Sequence, residues 1–232
     1  LCHEERAATL LSDMRQALVL GTVNGPKAPA YAFFSTFILK RLMVPDWKID
    51  TACTNGKHIR YNPEFVAGLA KTRMKNGKKV DDHVKILGLV VHEVSHDIGW
   101  HHTRRGNIPI DKWNTACDLA INQGILDSGF ELPDGAYLPG KDRFKKLPPG
   151  LSAEEYARLL PDEDESEEGE EDSEGGDQEE GGKTQGSDPG GCGGVEDAAQ
   201  DESGMAEAEA DVAQELAEAV NAMEKTKGLV PA

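Results

Sequence analysis

The segment Val84–Val94 constrains this chain most. Val84, Leu87, Val91 and Val94 recur at helical spacing, and the stretch Ile86–Val91 between them is apolar throughout. A run of this kind is an interior helix, apolar around most of its circumference. Asp81 and Asp82 before it and Gly106 after it punctuate such a helix at its two ends. Yet His92, Glu93 and His96 stand on its second half, followed by His101 and His102. Polar groups inside a core cost free energy unless they are paired or hold an ion, so these residues need a reason to be there.

The spacing supplies one. His92-Glu93-Val94-Ser95-His96 reads HExxH. At about 100° per residue, positions i and i+4 share a helix face, so both imidazoles can hold one Zn²⁺. Glu93, beside the first imidazole, can reach a metal-bound water without being a ligand and take its proton during attack on a carbonyl.

A third ligand is required. The string also fits HExxHxxGxxH through Gly99 and His102. That pattern needs a helix break at the glycine and a methionine turn beneath the metal, and the only later methionines are Met205 and Met223. In a helix continued to about Arg104, neither His101 nor His102 shares the face of His92. Asp118 is the better candidate: it lies in the apolar stretch TACDLAIN and forms an i, i+4, i+8 polar stripe with Asn114 and Asn122. The alternatives are a partner for Arg104 or Arg105, or an acceptor that orients a metal-bound histidine. His101, His102, Arg104 and Tyr61 are candidates for oxyanion stabilisation. The plainer reading of 101–105 is a basic helix C-terminus.

Around this centre, residues 3–20 read as an amphipathic helix and Asn24-Gly25-Pro26 as a break. Tyr31–Val44 reads as a buried helix. Asn55-Gly56 between two short runs predicts a type I′ hairpin with strands at about 49–54 and 57–61. Pro63 opens a helix through Leu69, and 71–80 reads as a basic loop. Residues 113–126 are expected to form a second helix, and Ser152 with Glu155 makes a capping box for a short one.

The charge is divided. Residues 1–160 carry a net +4, and 161 to the end a net −21, out of −17 overall. The first 160 residues suffice for one core. Residues 161–204, rich in Glu, Asp, Gly and Ser, are expected to be a disordered acidic linker. Residues 205–232, rich in Ala and Glu, are expected to form an exposed helix. No apolar run is long enough to span a membrane, no secretion signal is visible, and the scattered Cys2, Cys53, Cys117 and Cys192 point to free thiols, hence a cytoplasmic setting. Overall acidity argues against nucleic-acid binding.

The strings TACTNGKHIRYNPEFVAGL, HEVSHDIGWHHTRRG, WNTACDLAINQGIL, LPDGAYL and SAEEYARLL together resemble a metallopeptidase domain of bacterial and phage proteins, often followed by a von Willebrand factor A-like domain. The resemblance covers about residues 5–160. It implies a zincin-like α+β fold, mostly helical, with a small hairpin or sheet packed on the HExxH helix. It implies a zinc peptidase in which His92, His96 and Asp118 hold the metal and Glu93 is the general base. The partners implied are a peptide or protein substrate and an AAA+ ATPase or von Willebrand-like protein. The alternative function is a non-catalytic, zinc-stabilised adaptor.

Overall fold

The computed structural model describes residues 2–20, 28–75, 78–161, 194–195 and 202–227. Helix α1 (His3–Val19) buries Ala7, Leu10, Leu11, Met14 and Leu18, one stripe at helical spacing. Cys2 caps it: the thiol accepts from the Glu5 amide, and the Glu5 carboxylate accepts from the Cys2 amide. The expected break at 24–26 lies outside the described residues.

Helix α2 (Ala28–Lys40) ends earlier than the apolar run suggested, because the last three residues of that run fall in strand β1 (Leu42–Pro45). Strand pairing overrides helical length here: β1 runs parallel to β3 (His58–Tyr61), which is antiparallel to β2 (Ala52–Thr54). The hairpin is present, but its turn is not type I′. Gly56 has φ +88°, whereas Asn55 is not among the residues with positive φ. Instead the Asn55 side-chain oxygen accepts from the amides of Lys57 and His58, which closes the loop without a second left-handed residue.

Helix α3 (Pro63–Leu69) starts as expected, with Asn62 accepting from the Glu64 and Phe65 amides. The expected loop at 71–80 is instead a hairpin of β4 (Lys71–Lys75) and β5 (Lys78–Asp82). Asp81 and Asp82 are therefore strand residues, and helix α4 (Val84–Ile98) begins after His83 with no side-chain cap.

Helix α4 runs through the centre of the main core, with Ile86, Leu87, Leu89, Val90, Val91 and Val94 at most 1% exposed. Chain 130–132 passes so close that a Cβ on Gly88 would lie 1.7 Å from the Glu131 carbonyl oxygen. Helix α4 stops at Gly99. Trp100 adopts φ 50°, ψ 33°, and the chain resumes as the short helix α5 (His101–Arg104). The helix continuous to Arg104 that places His101 and His102 away from the site is thus not formed.

Helix α6 (Ile110–Asp127) packs on α4 and also seeds a second core. There Trp113, Ala116, Cys117 and Leu119 meet Phe144 and helix α7 (Ala153–Leu159), whose capping box of Ser152 and Glu155 is formed. Two later elements return to the domain. Strand β6 (Gly194–Val195) adds in parallel to β2, giving the sheet order β1-β3-β2-β6. Helix α8 (Glu202–Lys227) packs against α2. It buries Ala208, Val212 and Ala219, so the helix expected to stand exposed is partly interior. Its small residues permit the close approach. The remainder of the acidic stretch, 162–193 and 196–201, lies outside the described residues.

The observed class is α+β, mostly helical, with a small sheet against α4. Among the described residues, no helix is long and apolar enough to cross a membrane.

Candidate metal centre

Two long helices position the site. One helical turn separates His92 from His96, which puts both rings on the side of α4 that meets α6. Asp118 projects from α6 towards them. His92 Nε2 and His96 Nε2 are 2.9 Å apart, and each is 3.3 Å from Asp118 Oδ1. All three side chains are buried, at 0%, 0% and 1% exposure. Three of the four residues expected at the site therefore converge on one point.

The atoms around them fix the direction of each ring. The Asn122 amide donates to the Tyr137 carbonyl at 2.9 Å, so its oxygen faces His92. His92 Nδ1 stands 2.8 Å from that oxygen and must carry the proton, which leaves the Nε2 lone pair directed at the shared point. Asn122 belongs to the polar stripe 114–118–122. The spacing alone placed it on the right face but did not show that it grips the ring's far nitrogen.

His96 is held by a residue whose role the sequence left open. His101 Nδ1 lies 2.9 Å from His96 Nδ1, because the left-handed Trp100 turns α5 back towards α4. The indole of Trp113 donates to the His101 carbonyl at 2.9 Å and ties α5 to α6. Cys117 comes near the same rings: His96, His101 and Cys117 form a second buried group of metal-ligand types.

His102 goes elsewhere. It is buried beside the β2–β3 turn, where a Cβ on Gly56 would lie 3.0 Å from its Nε2. It does not join His92, His96 and Asp118. Arg104 and Arg105 are not partners of Asp118 either: Arg104 pairs with Glu154 at 2.5 Å, and Arg105 donates to the Ile108 carbonyl. Arg104 is thereby committed to α7. Tyr61 packs in the main core.

The electrostatics of the group are severe. Burial raises the Asp118 carboxyl, but His92 and then His96, each 3.3 Å from Oδ1, outweigh it and hold Asp118 at about 2. His96 is lowered to about 4, first by burial and then by His92. Neither Asp118 oxygen has a hydrogen-bond partner, and neither does either oxygen of Glu93, which is fully buried. Burial drives the Glu93 carboxyl well above its ordinary range; Asp118 and Asp97 add to the rise and His92 opposes it.

Next to His96, Asp97 supports the group from behind. Its carboxylate accepts from Arg41 Nε and from Thr54 Oγ1, both at 2.8 Å. Arg41, 4% exposed, also pairs with Glu215 of α8 at 2.8 Å. Sequence reading assigned no role to Arg41 or Asp97, since neither lies in a recognisable pattern. The link spans the end of α2, the sheet, α4 and α8.

The donor set suits a small divalent ion. Bonds of 2.0–2.1 Å in a tetrahedron set ligand atoms about 3.3 Å apart, close to the 2.9 and 3.3 Å found here. Two buried carboxylates without hydrogen-bond partners are costly in a core, and a cation offsets that cost.

No curated protein and no solved structure matches the chain. A sequence family described as "Putative metallopeptidase domain" matches residues 28–230, which take in α4, α6, β6 and α8. With the greater part of its length matched, the chain belongs to that metallopeptidase-domain family.

Proposed function

We propose that this protein is a zinc-dependent peptidase of zincin-like architecture, with His92, His96 and Asp118 as metal ligands and Glu93 as general base. The convergence of three buried ligand atoms within 3.3 Å of one another carries the reading. Two nitrogens and one carboxylate oxygen are a common set for catalytic zinc, which leaves a further position open. A bound zinc ion supplies Lewis acidity, activating water and polarising the carbonyl to be attacked.

The chain's own residues then do the following. Asn122 holds His92 in the Nδ1–H tautomer, so its Nε2 lone pair is set before any ion arrives, and His101 restrains the His96 ring. Glu93, which follows His92 on the helix, takes the proton from the attacking water and returns it to the leaving amine. Its dry setting suits both steps. Burial raises its proton affinity, and a nearby cation would oppose that rise.

The test compares the wild type with Glu93→Gln on an unbiased peptide library, with zinc content measured in each. Glu93→Gln is expected to keep its zinc and to lose cleavage by 10²–10⁴-fold, roughly the worth of a positioned proton carrier. Equal cleavage by both proteins, or none by zinc-loaded wild type, overturns the peptidase reading. Asp118→Ala is expected to lower zinc occupancy; undiminished occupancy removes Asp118 from the ligand set.

A further inference from the structure

The four side chains of the site are at most 1% exposed, so a substrate is first gripped by groups outside it. Helix α6 leads from the metal ligands to such groups. Asp118, Asn122 and Leu126 stand at i, i+4 and i+8, on one face of the helix. The first two belong to the metal centre. Leu126 lines a cavity of about 590 Å³, together with Leu132, Tyr137 and Phe144. Eight residues of helix rise about 12 Å, which sets the distance along α6 from Asp118 to the cavity wall. Hydrogen bonds join the two places as well: the Tyr137 carbonyl accepts from Asn122, whose oxygen faces His92 Nδ1.

The cavity combines apolar walls with a cation held in place. The rings of Tyr137 and Phe144 meet edge-on, with centroids 5.1 Å apart. The Arg143 guanidinium lies over both, 4.4 Å from the Tyr137 centroid and 4.8 Å from that of Phe144. A 3-10 turn, Asp142–Phe144, keeps it there. The Phe144 amide donates to the Lys141 carbonyl at 2.8 Å, and the Gly140 amide to the Phe144 carbonyl at 3.1 Å. Asp142 takes φ 46° to start this turn, a conformation that residues with a side chain rarely adopt. Stacking fixes the plane of the guanidinium and leaves its N–H edge for a bidentate anion. Among the described residues, no carboxylate pairs with Arg143. Asp134, which also lines the cavity, is committed to Lys85 at 2.6 Å. Lys141 adds a second positive charge and Asp142 one negative.

We propose that this cavity is a recognition site for the substrate, taking an apolar residue that carries a carboxylate beside it, which Arg143 grips. The consequence for cleavage rests on the peptidase reading; the binding does not. A cavity of this size, mostly apolar with a few convergent polar groups, is the usual form of a site for a small ligand or a side chain. The apolar walls take the side chain, and the guanidinium edge takes the carboxylate. The carboxylate belongs either to a free C-terminus or to an adjacent acidic residue. A doubly charged phosphate suits the cavity less, since Asp142 stands next to the cation. An extended peptide advances about 3.3 Å per residue, so about 12 Å corresponds to about three or four residues. The bond presented to Glu93 is therefore about that far along the chain from the gripped residue.

Chemical-shift titration of the full-length chain tests the binding. The probes are N-acetylphenylalanine, its amide, and N-acetylphenylalanyl-glutamate amide. The free acid is expected to bind the wild type at least tenfold more tightly than the amide. Arg143→Gln, at an exposed position, is expected to keep its circular dichroism and to bring the acid down to the affinity of the amide. The glutamate probe distinguishes the two sources: binding as tight as the acid means that a side-chain carboxylate serves, and binding as weak as the amide means that a free C-terminus is required. Equal affinity for acid and amide, or an acid that binds Arg143→Gln as well as wild type, overturns the proposal. So does displacement of the acid by equimolar inorganic phosphate, which marks a site for any anion. The zinc-loaded wild type is then expected to cut library peptides about three or four residues from such a residue. Cleavage without that spacing overturns the role in recognition. A wild type that binds the acid as stated but cleaves nothing counts against the peptidase reading and upholds the binding site.

Discussion

Arg41→Met isolates the ionic link behind the site, and its effect follows from the geometry. The substitution keeps an unbranched side chain of similar length but removes the guanidinium that faces Asp97 and Glu215. Glu215 can turn to water, its side chain being 15% exposed. Asp97 cannot, because its side chain is 0% exposed and only Thr54 remains to it. Breaking a buried pair from one side costs about 3–5 kcal/mol. The cost depends on pH in a definite direction. Burial already raises the Asp97 carboxyl, with Arg41 and then Thr54 opposing. Without Arg41 the folded-state pKa climbs further above the unfolded value. A raised folded pKa means that the folded protein binds more protons than the unfolded chain, so stability falls as pH rises through the window between the two values. The deficit of Arg41→Met is therefore expected to be largest at pH 8 and to shrink towards pH 4.5, as the folded-state Asp97 takes up its proton. Urea unfolding followed by circular dichroism at both pH values measures it. The double variant Arg41→Met/Asp97→Asn, which leaves no charge stranded, is expected to recover most of the loss at pH 8. A deficit below about 1 kcal/mol at pH 8, or one that is the same at both pH values, refutes the reasoning.

Two further outcomes are expected. Asn122→Leu frees the His92 tautomer and removes a donor to the Tyr137 carbonyl; zinc affinity, read by competition with a chelating dye, is expected to fall about 10–100-fold. Gly88→Ala drives a methyl into the Glu131 carbonyl and is expected to cost about 1–3 kcal/mol in thermal or urea unfolding, because backbone rather than a side chain must shift.

What could be read in advance depended on how local the cause was. The i, i+4 relation of His92 and His96, the helix start at Pro63 and the Ser152 capping box are decided within one turn of chain, and each appears where its residues predict. Asp118 was legible because a carboxylate inside an apolar helix stands out whatever surrounds it. Other features needed knowledge of what lies across the core. Leu42–Pro45 is as apolar as the helix before it, and only the presence of β3 makes it a strand. The halt of α4 at Gly99–Trp100 sends His101 to His96 and His102 to the hairpin turn, an outcome that periodicity extended along a straight helix gets wrong. Arg41 and Asp97 are single residues whose partners include ones 56 and 174 positions away, so no spacing announces them.

Helix α8 also sets an order of assembly. Its ion pairs with Lys40 and Arg41 close loops of 178 and 174 residues, the longest of the hydrogen-bonded contacts described. Helix α4, α5 and α6, by contrast, meet over separations such as five residues for His96–His101 and 30 for His92–Asn122. The entropy of loop closure grows with the logarithm of length, and contacts of high sequence separation tend to form late. During synthesis the helices that carry the histidines can pack while the C-terminal 70 residues are still being made. Helix α8 is then expected to arrive on a surface already packed, where its docking neutralises Arg41 from the second side.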